Sequence, residues 1–167
     1  MVTERESPSR WKLPPAAKVY EAFSALADGR VHLPDDPDRG GSAEVESSGR
    51  DRRYVVEWSL DPLSITANDN ASYWQGYLGY PAIAVLVAIG ALQADRAIVD
   101  LLAGVPWHDL NARYRRDYAA AVDSVLSDLE RRGADRARIE GEVTGVLAQL
   151  AALEPARPPR RRRPPRG

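Results

Sequence analysis

Directly after Pro81, from Ala82 to Leu92, the chain is apolar whichever way a helix is turned: Ile83, Val85, Leu86, Val87 and Ile89 cover every side. Proline suits the first turn of a helix, and a helix that is hydrophobic all round belongs in the middle of a core. The longest apolar run, Ala82 to Ile89, is too short to span a bilayer. The rest of the chain must therefore enclose this segment. Its 167 residues give room for one domain of ordinary size with an extension or tail.

Upstream lies the clearest strand signal. Tyr54, Val56, Trp58 and Leu60 share one face, and Val55, Glu57 and Ser59 share the other, the period of two that a half-buried strand requires. Ala43 to Glu46 alternates as well, and Ser47-Ser48-Gly49-Arg50 reads as the hairpin turn between the two. A further short strand is expected to include Leu63 and Ile65, and Val31 to Leu33 is a short apolar patch before a loop at 34–41. The first helix opens near Pro15, turns Val19, Phe23 and Leu26 to the core, and stops at Gly29.

Downstream, a short helix runs from about Asp95 to Ala103. A long one follows from Trp107 to Arg132, with Tyr114, Tyr118, Val122, Val125, Leu126 and Leu129 at helical spacing. Gly133 interrupts, and Ile139, Val143, Val146, Leu147, Leu150 and Leu153 resume the pattern until Pro155. The expected fold is α+β, a small antiparallel sheet packed with helices over 12–104. A C-terminal helical hairpin or coiled-coil extension follows over 105–154. Its narrow apolar stripe suits pairing with a symmetry mate, as a dimer or tetramer. The polar residues 1–11 and the Arg/Pro tail 155–167 are expected to be disordered.

Composition removes several chemistries. Cys is absent, so disulfides, thiolate metal sites and thiol catalysis are out, and His32 and His108 alone cannot make a multi-histidine zinc site. No apolar signal region opens the chain, so a cytoplasmic, membrane-free protein is expected. No nucleotide-binding glycine loop and no nucleophile elbow is present. Asp35, Asp36 and Asp38 lack the spaced ligands of a calcium loop. Neither a catalytic residue nor a cofactor is assigned. The net charge is −1, but the tail from Arg157 to Arg166 holds six of the 23 basic residues. The preceding residues keep 17 against 24 acids, a net of −7. An acidic body argues against a cationic coat for duplex DNA and still permits a local basic site.

The segment 68–80 is distinctive. It places Tyr73, Trp74, Tyr77 and Tyr80 beside Asn68, Asn70, Ser72 and Gln75, with Gly76 and Gly79 between the rings. Flat rings offer every base a stacking surface, and amides can contact base edges or sugars. The same rings could instead seal the sheet against the central helix. Arg50, Arg52 and Arg53 precede the main strand, and Lys12 and Lys18 flank the first helix. Guanidinium and ammonium groups there would suit phosphates, or simply a solvated hairpin tip.

Two resemblances follow. The layout from Tyr54 through Leu86 is similar to a SWIM zinc finger, but Ser64-Ile65-Thr66 and Ala82-Ile83-Ala84 stand where its metal ligands would be, so zinc binding does not carry over. Residues Lys18-Val19-Tyr20-Glu21-Ala22, Ala27-Asp28-Gly29-Arg30-Val31 and Asn68-Asp69-Asn70-Ala71-Ser72-Tyr73-Trp74-Gln75-Gly76-Tyr77 resemble the ThermoDBP family and its related archaeal single-stranded-DNA binders. That resemblance covers about residues 12–103. It implies a compact N-terminal domain that holds single-stranded DNA in a cleft, and C-terminal helices that set the oligomer.

The expected function is single-stranded nucleic acid binding with little sequence preference, DNA or RNA being left open. Trp74, Tyr73, Tyr77, Trp58 and Tyr54 would present rings, the last two being equally suited to the core. Asn68, Asn70 and Gln75 would make polar contacts, and Arg52, Arg53 and Lys12 would meet phosphates. One alternative is a protein–protein module acting through the aromatic loop and the C-terminal helices. Another is a small enzyme using Asp69 with Ser72 or His32, which requires a deep pocket joining those groups.

Overall fold

The computed structural model describes residues 10–159 and 162–166. It has the α+β architecture expected, a four-stranded antiparallel sheet packed with helices. Helix α1 (Ala17–Ala27) ends where Gly29 turns left-handed (φ 66°). Strands β1 (Val31–His32), β2 (Gly41–Glu46), β3 (Arg53–Ser59) and β4 (Ser64–Ala67) pair in sequence order. Register sets Val45 opposite Tyr54, Ala43 opposite Val56, and Trp58 opposite Ile65. The alternation in β3 therefore sends Val56 and Trp58 to the core with Ala43, Val45 and Ile65. Leu60, beyond the strand's end, is exposed instead.

Helix α2 (Tyr80–Ala88) lies against β1, β3 and β4 on one side and α1 on the other. Ile83, Val85 and Leu86 have no solvent exposure. This double enclosure is why the segment carries no polar face. Helix α3 (Arg96–Leu101) starts at Asp95, whose carboxylate accepts the Ala97 N–H at 2.9 Å. It packs on α1.

The helix expected from Trp107 to Arg132 is two helices, α4 (Trp107–Arg113) and α5 (Tyr118–Arg131). Arg115 and Arg116 between them are both left-handed (φ 51° and 65°), a conformation that cannot continue a helix. Asp117 then caps α5 by accepting the Ala120 N–H at 3.1 Å. A short polar side chain satisfying a free N–H in this way favours a new helix start over helix interior. Helix α6 (Arg136–Leu153) forms the hairpin with α5, and both reach α1. Leu126, Ile139, Val143 and Val146 join the same core as the sheet. Much of the stripe expected to meet a symmetry mate is buried within the chain, while Tyr114, Val122, Leu147 and Leu153 are only partly covered.

The chain ends are also more tied down than expected. Residues 1–9 lie outside the described residues, but Trp11 donates its indole N–H to the Ile65 carbonyl at 3.2 Å. The tail is not free at its start: Ile65 N–H donates to Ala156 O at 3.1 Å, and Ala156 N–H to Leu63 O at 2.9 Å.

One buried hydroxyl joins three helices. Ser24 Oγ donates to the Leu102 carbonyl at 2.6 Å and accepts the Trp107 indole N–H at 2.7 Å. Ser24→Ala leaves a buried donor and a buried acceptor unpaired. It should cost about 1–3 kcal/mol for such a loss, read as a lower urea midpoint; an unchanged midpoint would refute the bridge.

Candidate nucleic acid interface

Between β4 and α2 the chain makes one wide helical turn, Ala71–Gln75, closed by Gly76 in the left-handed region (φ 74°). Its mount is internal. The Asp69 carboxylate accepts the Ser72 N–H at 3.2 Å, and Ser72 Oγ accepts the Gly79 N–H at 2.9 Å. Gly79 is needed for closeness rather than for its dihedrals: a Cβ there would fall 1.9 Å from Asp69 Oδ2. Asn68 clips the turn to the sheet, its Oδ1 accepting the Val55 N–H at 2.7 Å.

This mount holds Trp74 outward. The ring is 69% exposed, braced edge-on by Tyr73 with centroids 4.5 Å apart and planes at 78°. Asn70 and Gln75 are exposed beside it. Tyr77 is half-buried and bridges to Lys12, whose backbone N–H donates to Gly76 O at 2.9 Å. The Lys12 side chain passes the same glycine, and so does Arg157: a Cβ on Gly76 would lie 3.8 Å from Lys12 Cε and 3.6 Å from Arg157 Nη1. Arg157 also sits over the Trp11 ring, 4.7 Å from its centroid, within cation–π range.

Other candidates lie elsewhere. Trp58 is 5% exposed and belongs to the core, because strand parity points it inward; it offers no stacking surface. Tyr54 is half-buried, edge-on to Tyr80 at 6.2 Å. Burial pushes its hydroxyl pKa up, against the pull of Arg52. Asn68 is buried, and its amide N–H₂ donates to Arg163 O at 3.4 Å, so its polar groups are already engaged.

The arginine hairpin is largely neutralised. Arg53 pairs with Glu44 at 2.8 Å and Glu46 at 3.4 Å, and Arg50 with Glu46 at 2.6 Å. Burial of Glu46 works against its charge, yet Arg50, His32 and Arg53 hold its carboxyl below the ordinary range. Arg52 is exposed. Lys18 is interior, bonded to Glu21 at 3.2 Å and set over Tyr118 at 4.6 Å. Burial works against its charge, but Glu21 holds its pKa above the usual lysine value.

Trp11 and Arg157 were not among the sequence candidates. Arg10-Trp11-Lys12, a ring between two cations, was the available signal for the first; nothing local marks the second.

A groove of about 220 Å³ lies beyond Lys12, lined by Trp11, Leu13, Leu78, Leu150 and Ala151 among others. A second cavity of about 200 Å³ joins Ser48, Asp51 and His108. Neither contains Asp69, Ser72 or His32. The pocket that the enzyme reading requires is in neither. Among the described residues no cluster of three or more His, Asp or Glu could hold a metal, and no helix is long and apolar enough to cross a membrane.

The fold is an α+β domain with an aromatic turn held by internal hydrogen bonds and flanked at Gly76 by two cations. The family model described as Uncharacterised conserved protein UCP014422 matches residues 11–156, and the chain belongs to that family. No curated protein and no solved structure matches it.

Asp69 gives the mount a pH signature. Burial raises its carboxyl pKa, against hydrogen bonds from Ser72 and the charge of Lys18, and its Oδ1 has no partner among the described residues. The folded chain thus binds this proton more tightly than the unfolded one. Its contribution favours the fold most below the ordinary carboxyl range and declines as pH rises through the folded pKa. Comparing urea midpoints from about pH 4 upward, Asp69→Asn should remove that part of the decline. Curves that stay parallel at every pH would refute it.

Proposed function

We propose that this protein binds single-stranded nucleic acid, with little sequence preference, by stacking bases on the aromatic turn. The observation that carries the reading is Trp74, 69% exposed on a turn fixed by buried hydrogen bonds. Trp58 and Trp107 are buried in the same domain, so the core does not lack room for indoles. An outward indole in T-shaped contact with Tyr73 still offers exposed ring surface to a base, and stacking tolerates any base. Lys12, bonded through its backbone N–H to Gly76 O, and the exposed Asn70 and Gln75 flank the turn, where they can meet phosphate and base edges. The resemblance of residues 68–77 to ThermoDBP proteins supports the same reading. Arg53 drops to a minor part, since it is paired with carboxylates, whereas Arg52 stays exposed on the hairpin.

Fluorescence anisotropy with labelled oligo-dT and a labelled duplex tests this. Oligo-dT should bind more tightly than the duplex. Trp74→Ala should cost about 1–3 kcal/mol of that affinity while leaving the circular dichroism spectrum and urea midpoint in place. Lys12→Ala should flatten the log–log salt dependence by about 0.7, the value for one phosphate contact on a single strand. Absence of oligo-dT binding would refute the proposal and favour a protein-docking role for Trp74.

A further inference from the structure

The tail contributes more than a loose positive charge. Leaving Ala156 at the edge of β4, it sets Arg157 against the Trp11 ring and Gly76, and at Arg162 and Arg163 it meets the sheet and its end again. There Arg162 pairs with Glu57 on β3, and the Arg163 carbonyl accepts from Asn68. Cross-strand register sets Thr66 opposite Glu57. Thr66 is 8% exposed even though its parity places it on the outer face, as it would be beneath a covering segment.

We propose that the tail, described at 157–159 and 162–166, is a detachable polyanion-binding arm, its Arg162 parked on Glu57 in the free protein and transferred to phosphates when a strand binds. This rests on the stacking reading for the identity of the strand but not for the parking. The arm carries six arginines and, from Pro158, four prolines. Proline has no N–H to give a sheet ladder, so the paired prolines 158–159 and 164–165 keep the arm from pairing along its length with a strand. In the Arg162–Glu57 pair the arginine is largely exposed and the glutamate partly so, and solvent-exposed pairs contribute little net stability.

Phosphates along a single strand offer the same arginines many acceptors, with counterion release as the driving term. Extended at about 3.1 Å per residue, as Pro-rich segments are, the arm reaches roughly 28 Å from its root beside Gly76. A strand lying on Trp74 falls within that radius. Glu57 then acts as an internal competitor for the cations.

The chain has no cysteine, so Pro165→Cys gives a single spin-label site on the full-length protein. In the free protein the label should broaden the amide signals of Ser42, Glu57 and Thr66. Saturation with oligo-dT, or separately with inorganic polyphosphate, should restore them. Glu57→Gln should restore them without ligand and raise polyphosphate affinity by about two- to fivefold, as expected when a weak exposed pair no longer competes. Ending the chain after Pro159 should reduce the oligo-dT salt slope by about 0.7 for each arginine that had engaged a phosphate.

No broadening in the free protein, or broadening that survives saturating polyphosphate, would overturn the arm. Oligo-dT that binds through Trp74 with the arm still parked would sink the arm and leave the stacking reading standing. Polyphosphate that lifts the arm while oligo-dT fails to bind would do the reverse.

Discussion

Enclosure of α2 is the constraint from which the remaining architecture follows. A helix with no polar side must be covered on opposite flanks, and fully burying each of Ile83, Val85 and Leu86 is worth about 1.5–3 kcal/mol. The sheet covers one flank and α1 the other. Covering α2 leaves α1 with a second apolar side of its own, which α3, α5 and α6 then close. The C-terminal hairpin is therefore the outermost layer of one core. Ser24 at the junction fastens α1 to the segments after α3 through bonds to Leu102 and Trp107.

The same enclosure explains the aromatic turn. The chain must pass from the end of β4 to the start of α2, which lies beneath the sheet, and the crossing is made in a single wide turn held by Asp69, Ser72 and Gly79. Such a connection has its polar groups facing inward and its largest side chain left outside. A ring held this way has little conformational freedom to lose when something packs on it, which lowers the entropic cost of binding.

Patterns confined to neighbouring residues were legible in the sequence. The parity of β3, the stop at Gly29 and the apolar run after Pro81 each depend on local spacing, and each marks the element found. The break at Arg115 and Arg116 was not legible, because two arginines in the left-handed region carry no composition signal; the capping role of Asp117 was the only hint. At the site, parity could have removed Trp58, whereas the outward ring of Trp74 depends on a turn with no period to read. Neutralisation of Arg50 and Arg53 depends on their meeting Glu44 and Glu46 across β2, β3 and the hairpin between them. The cations beside Gly76 come from opposite ends of the chain, a proximity created only by folding.

The two margins of the sheet are unlike each other. At one, β1 is only two residues long; at the other, Ala156 takes up hydrogen-bonding groups of Leu63, just before β4, and of Ile65 within it. Unpaired strand margins template the addition of further strands from other molecules. A stub on one side and an occupied rim on the other leave little for a foreign strand to grow on. The residue from which the arm departs is thus also a guard against fibrillar assembly, and keeping that guard seated while the arm swings free lets the protein change its surface without exposing its sheet.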